Sequence, residues 1–438
     1  MIRSFSGSTG EGSNPYGGLI EGSEGALYGS TSSGGSMNLG TVFRLNKDGS
    51  DYSVVHVFTG LDGDGANPYA GLIEGSDGAI YGTTVGDGSS TNQGTVFKLN
   101  KDGGGYRVLH GFTGGAGDGA QPYGALLEVE SGLICGTTIV GGIGEQGVIF
   151  RTNLDGTGYV VIRAFSGTGG DGANPYGNLI KGSDGVLYGT TAYGGTANLG
   201  TVFRLNSAGS NYRVLRSLAG TGGDGKYPFA PLIEASDGAL YGMTVFGGTP
   251  DQGTVYKLNK DGTDYNVLRS FTGVGTDGAQ PSANASLIEG PDGALYGTTY
   301  YGGSANAGTI FKLDKNRRGY SVLHNFSGAG EDGLNPYAGL VKGSDGAFYG
   351  STLNGGFTCG TIFRFAPVIS LSVAANGELT LAGPAGFPVA IQVRDDLGSP
   401  APWQFLSKVT LSTTPSKLQG SFNGSKAHRF YRAELVPY

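Results

Sequence analysis

One stretch, Gly63 to Thr84 (GDGANPYAGLIEGSDGAIYGTT), is written out seven times along this chain with small edits. Its Tyr-Gly core recurs at Tyr28, Tyr81, Cys135 (a Cys in place of the Tyr), Tyr188, Tyr241, Tyr296 and Tyr349, at steps of 53, 54, 53, 53, 55 and 53 residues. A period this even, with edits of one or two residues, means one supersecondary unit stacked seven times. Composition alone would mislead here. Gly 87 and Pro 17 of 438 residues make a fraction that suggests disorder when it carries no period, and the period removes that reading.

Within each unit four short β-patterned runs are separated by turn signals. In the second they are Tyr69 to Glu74, Ala79 to Thr84, Thr95 to Asn100 and Tyr106 to Phe112. Ser76-Asp77-Gly78 and Lys101-Asp102-Gly103 supply Asp-Gly turns, in which Gly accepts positive φ without steric cost. No segment keeps a 3.6-residue apolar period over ten residues, so an all-β fold is expected. Four-stranded units stacked radially make a β-propeller, which leaves only short, protected edges. The opening residues Ile2-Arg3-Ser4-Phe5 match a fourth strand, while the last repeat stops after its third, Thr361 to Phe365. The expectation is a seven-bladed propeller over residues 1–366, its last blade completed by the N-terminal strand.

Beyond Ala366-Pro367 glycine thins out and the single Trp appears, Trp403. Alternating runs at Ser370–Val373, Leu379–Leu381, Val389–Val393 and Phe430–Arg432 suggest a small β-sandwich over 367–438. Its ending, RFYRAELVP, looks like the fibronectin-like modules appended to secreted bacterial surface proteins and polysaccharide-active enzymes. The repeat itself, LYGTT followed by a Gly-rich loop and GTVFRL in tandem, resembles the choice-of-anchor tandem-repeat GloVer-containing proteins across residues 1–366. That resemblance implies a bacterial, exported, often surface-anchored protein. It implies no reaction.

Several classes are excluded or disfavoured. Lys+Arg 28 against Asp+Glu 35 gives a net charge of −7, and no stretch clusters cations as phosphate binding requires, so no nucleic-acid partner is expected. No run of eighteen apolar residues exists, so no transmembrane segment is expected. The first residues show no charged stretch followed by an apolar one, and Met1 leads straight into a repeat strand, so a secreted protein in mature form is expected. Cys135 and Cys359 fall in repeats three and seven and are expected to be free. There is no G-x-S-x-G, no H-E-x-x-H and no phosphate loop.

Two patterns carry the candidate chemistry, both on the loops that enter each unit (GDGANP-type) and join its second and third strands (TTxxGG-type). The first is an acid and a base eight residues apart in every repeat: Arg3 and Glu11, His56 and Asp64, His110 and Asp118, Arg163 and Asp171, Arg216 and Asp224, Arg269 and Asp277, His324 and Asp332. A catalytic pair is needed once, not seven times, so these are expected to clasp the crossing between neighbouring units. The second pattern is departure from the repeat. Repeat five replaces Ala-Asn-Pro-Tyr by Lys226-Tyr227-Pro228-Phe229, the following loops carry Phe246 and then Tyr300 and Tyr301, and repeat four contributes Tyr193. With Asp224 and Asp277 these form a candidate ligand patch, suited to a sugar whose C–H faces stack on rings while its hydroxyls meet polar groups. His428 shows no partner. Asp62 to Gly65 (DGDG) resembles a Ca²⁺ loop but lacks the later Glu, so no cofactor is expected and Ca²⁺ is the alternative.

The first reading is a secreted or cell-surface propeller that binds a polysaccharide or other surface glycan. The rivals are a polysaccharide-degrading enzyme, glycoside hydrolase before lyase, working through a carboxylate pair, and a structural surface or filament scaffold.

Overall fold

In the computed structural model, residues 1–8, 10–88, 93–356, 359–366, 370–373, 379–382, 388–394, 404–410, 416–418 and 430–435 are described; Trp403 and His428 lie outside them. In repeat two the Asp-Gly turn closes with Gly78 N donating to Gly75 O at 2.8 Å. The strands there are Ile73–Glu74, Ile80–Thr84, Thr95–Leu99 and Arg107–Gly111. This corrects the expected first strand, which spans two residues and not the six from Tyr69 to Glu74. The residues before it bond sideways instead of along a ladder. Ser30 Oγ of the preceding repeat donates to Ala70 O at 3.2 Å, and Thr83, Thr137, Thr190 and Thr298 do the same for the next repeat along.

Among the described residues the four-stranded antiparallel order occurs in seven sheets. The seventh contains Val341–Lys342, Phe348–Thr352, Thr361–Phe365 and the opening strand Arg3–Ser4. Arg3 pairs with Ile362 and Ser4 with Thr361, so the two ends of the array share one sheet. Repeats one and seven also meet through Asn14 Nδ2, which donates to Leu353 O at 3.2 Å. Residues from all seven repeats, among them Leu19, Leu72, Leu126, Leu179, Leu232 and Leu340, line a single cavity of about 330 Å³, where the first strands converge. The array therefore closes around a common axis.

Between sheets the packing is apolar. Tyr81, Val96 and Phe112 of repeat two pack with Leu126, Ile134 and Phe150 of repeat three, each large side chain contributing about 2 kcal/mol on burial. The Tyr-Gly core has a steric reason. A Cβ on Gly82 would stand 2.5 Å from Phe97 Cζ, and Gly29, Gly136, Gly189 and Gly350 meet the equivalent Phe ring at the same distance. Cys135 takes the Tyr place in repeat three as a buried free thiol, its pKa pushed up to about 12 by burial.

The two loop classes share a face. In six repeats they pair as two-stranded ribbons, for example Gly12–Ser13 with Ser33–Gly34, and in repeat two by an Ala66–Gly86 bridge. The chain divides into two compact units, one of Met1–Ile288, Leu295–Val341 and Gly350–Phe363, the other of Glu289–Ala294, Lys342–Tyr349 and Arg364–Tyr438. The second includes two three-stranded antiparallel sheets. One orders Ser370–Val373, Leu379–Ala382 and Ser416–Leu418, and the other Gln404–Thr410, Pro388–Arg394 and Phe430–Leu435.

Candidate binding site

All seven acid–base pairs lie within ion-pair reach: Arg3–Glu11, His56–Asp64 (2.9 Å), His110–Asp118 (3.1 Å), Arg163–Asp171 (2.6 Å), Arg216–Asp224 (2.9 Å), Arg269–Asp277 (2.6 Å) and His324–Asp332 (3.3 Å). The base sits on the outer strand of one sheet and the acid on the loop leading to the next. A Tyr from the next sheet locks the crossing. Tyr212, Tyr265 and Tyr320 donate to Asp171, Asp224 and Asp277 at 2.7, 2.5 and 2.6 Å, and the Arg163, Arg216 and Arg269 guanidiniums lie 3.9–4.2 Å over the same rings. In repeats two and three the rings of His56 and His110 stack on Tyr106 and Tyr159 at 3.8 and 3.6 Å.

Burial opposes ionisation of Asp118, but hydrogen bonds from His110, Tyr159, Thr113 and Gly119 outweigh it and hold the carboxyl well below its ordinary value. The same balance lowers Asp171, Asp277, Asp64, Asp332 and Glu11.

Next to each clasp the loop turns through a left-handed residue: Asn14, Asn67, Gln121, Asn174, Tyr227, Gln280 and Asn335, all at φ between 49° and 59°. Then comes a Pro and an aromatic ring near the axis. These rings form a chain: Phe229–Tyr176 at 4.8 Å between centroids, Tyr176–Tyr123 at 5.2, Tyr123–Tyr69 at 5.4, Tyr69–Tyr16 at 4.6 and Tyr16–Tyr337 at 4.6 Å. The circle breaks at repeat six, where Ser282 stands in the ring position. Ser282 Oγ donates to Tyr337 O. A cavity of about 400 Å³ occupies the break, walled by Tyr123, Tyr176, Phe229, Tyr300 and Tyr337, with Gln280 and Ser282 as further polar groups. Among the described residues no charged side chain lines it. Burial, with Tyr176, Tyr69 and Tyr16 close by, pushes the Tyr123 phenol up to about 12, and Tyr176, Tyr300 and Tyr337 are raised as well. The phenols are therefore neutral hydrogen-bonding groups at ordinary pH.

The sequence-derived patch divides accordingly. Phe229 and Tyr300 line the cavity. Tyr193 and Tyr227 pack at 5.3 Å, Tyr227 and Phe246 at 6.2 Å, and both Tyr193 and Tyr227 reach Phe229 at 6.1 and 6.3 Å, forming an aromatic shelf beside the cavity. Tyr301 is 40% exposed against Tyr300. Lys226 pairs with Asp251 at 3.1 Å. Asp224 and Asp277 belong with the clasps: both are buried, and their oxygens are taken by Arg, Tyr and the following Gly N–H. Sequence reasoning did not single out Tyr123, Tyr176, Ser282 and Tyr337, although the loss of the Pro-Tyr pair at Pro281-Ser282 was visible. As for Ca²⁺, Asp62 is exposed and Asp64 is engaged by His56 and Thr59. Among the described residues no group of three His, Cys, Asp or Glu side chains is placed to hold a metal.

Residues 1–182 and 175–382 match the family described as the Gloeobacter/Verrucomicrobia repeat. The chain belongs to this family. No match was found among curated proteins. Among solved structures the chain is similar to PorZ, described as an essential bacterial surface component of the type-IX secretion system of Porphyromonas gingivalis (TM-score 0.51, 14% identity, covering 95% of this chain and 58% of that one). It is also similar to the GH74 enzyme of Niastella koreensis (0.51, 12%, 86% and 58%) and to an oligogalacturonate lyase in complex with manganese (0.50, 12%, 81% and 89%). At these identities the likeness concerns the fold, which is propeller-like.

Proposed function

We propose that residues 1–366 form a seven-bladed β-propeller, followed by a small β-sandwich over 367–438 that serves as spacer or docking module, and that the propeller binds a neutral carbohydrate at the cell surface or outside the cell. The observation that carries this reading is the single break in the axial aromatic circle. Six repeats fill their axial position with a ring and one leaves a cavity walled by four of those rings and Tyr300. Aromatic walls with a few placed polar groups are what small-ligand pockets are made of. The faces of these rings carry partial negative charge, which suits the C–H bonds of a pyranose, while Gln280, Ser282 and the phenols offer partners to its hydroxyls.

Binding is favoured over hydrolysis by the state of the acids. A glycosidase needs a carboxylic acid of raised pKa facing a second carboxylate. Here Glu11, Asp64, Asp118, Asp171, Asp277 and Asp332 on these loops are lowered, and each is tied into a clasp. The surface location is supported by the family and by what is said of PorZ. The test is affinity electrophoresis against a panel of neutral and acidic polysaccharides, with reducing ends assayed in parallel. The reading expects retardation by a neutral glycan with no new ends; release of ends would establish the hydrolase instead.

A further inference from the structure

Repeat six differs from the others in length as well as in its missing ring. Its step from Tyr241 to Tyr296 is 55 residues, against 53 for most others, and the surplus falls beside Ser282 at Ala283-Asn284. These residues cross the axis. Asn284 Nδ2 donates at 3.1 Å to Tyr69 O, in repeat two on the far side of the closed array. Asn284 also bridges Ala338 in parallel fashion, and Gly339 N donates to Asn284 O at 2.9 Å. Pro281, Ser282 and Ala283 line the aromatic cavity, whereas Asn284 and Ser286 line the Leu-rich cavity next along the axis. The insertion is thus a floor between two spaces that would otherwise run into one another.

A floored pocket at an axis cannot be threaded. Resting on the carbohydrate reading above, we infer that the pocket takes the end of an oligosaccharide chain, with the terminal unit on the Ala283-Asn284 floor and the next units leaving across Tyr227 and Tyr193. The exit has its own evidence. On the other side Tyr300 packs edge-on against Tyr301 (4.6 Å) and Tyr337 (5.9 Å) and walls the pocket. On the exit side Phe229 belongs both to the pocket wall and to the shelf. Tyr227 occupies a left-handed backbone position held by Asn or Gln in the other six repeats, a conformation that is costly for an aromatic residue and that surrounding structure must hold in place. Where Asn67, Asn174 and Asn335 donate their side-chain amides to a carbonyl of the preceding repeat at 2.9, 2.6 and 3.0 Å, Tyr227 has no amide to give. The chain gives up a stabilising contact there and gains a half-buried ring next to the pocket, packed against the exposed Tyr193.

The test is isothermal titration of the full chain with size-fractionated neutral oligosaccharides, two to ten units long (about the span of the shelf and beyond,), drawn from each neutral polymer of the panel. Native and borohydride-reduced forms are compared, and wild type is compared with Tyr227→Asn. End-on binding expects one protein per chain whatever the chain length, and affinity that rises over the first few units and then stays level. It also expects Tyr227→Asn to weaken the longer oligosaccharides about tenfold while leaving the shortest binder unchanged; the reduced forms show which end enters. Stoichiometry that grows with chain length, or equal affinity of Tyr227→Asn and wild type for every length, overturns end-on binding while leaving the carbohydrate reading intact. Absence of binding to any saccharide overturns both.

Discussion

The clasps and the axial circle are both seven-fold in origin, and they have diverged differently. At the clasps the chemistry varies among repeats but the contact is kept: Arg becomes His, Asp becomes Glu, and the pair still meets across eight residues. At the axis the chemistry is nearly constant, Tyr in five repeats and Phe in a sixth, until one repeat abandons it. Substitution that preserves a contact is what a joint between neighbouring sheets requires. A single abandoned contact, with a two-residue insertion beside it, is what a site requires, because a ligand is bound once. The comparison locates function by asymmetry.

The sharpest way to break the comparison is acid. Six of the seven clasp carboxyls, Glu11, Asp64, Asp118, Asp171, Asp277 and Asp332, are held below their ordinary values in the folded chain. Each stabilises fully above its unfolded pKa, and that contribution is lost as pH falls through the lowered folded value. Melting temperature should change little down to about pH 5 and fall steeply between about pH 4 and pH 2; a flat profile there would remove the clasps from the account. A single clasp comes next. Asp171→Ala strands Arg163, Tyr212 and the Gly172 N–H, and should cost about 3 kcal/mol in chemical denaturation with saccharide binding unchanged. Ser282→Tyr restores the missing ring. It should lower saccharide affinity at least about tenfold, or 1.4 kcal/mol, without lowering the melting temperature.

Two further departures in repeat five have smaller expected effects. Tyr227→Asn should stabilise the fold by about 1 kcal/mol, relieving the left-handed Tyr and restoring an amide contact to the preceding repeat. Tyr256 stands where other repeats have Phe, fully buried with its hydroxyl unpaired. Tyr256→Phe should stabilise by up to about 1 kcal/mol, and a loss on removing that hydroxyl would mean it has a partner.

Much of the scaffold was legible because local chemistry repeats. The Asp-Gly turns, the Tyr-Gly core and the eight-residue acid–base spacing each recur seven times or nearly so, and the Arg3–Ser4 strand announced its partner by matching the fourth strand of every other unit. The pocket was less legible for a physical reason. The Tyr of each Pro-Tyr pair opens an apolar run, so Tyr69 reads as the start of a strand; nothing local says that the strand begins only at Ile73 and that the ring points to a shared axis. Ser282 then looks like one more neutral edit, and its meaning appears only when four rings from other repeats, with Tyr300 of its own, are seen around it. Asp224 and Asp277 show the opposite case. They were placed in both the clasps and the ligand patch, and burial beside Tyr265 and Tyr320 puts them with the clasps.

The most direct test is a crystal structure of the full chain grown with the tightest-binding oligosaccharide of the panel. The account predicts a terminal sugar ring between Phe229 and Tyr337, resting over Ser282 and the Ala283-Asn284 floor, with the following unit on Tyr227. A sugar bound on the loop ribbons of another repeat, with the axial cavity holding only water, would contradict it.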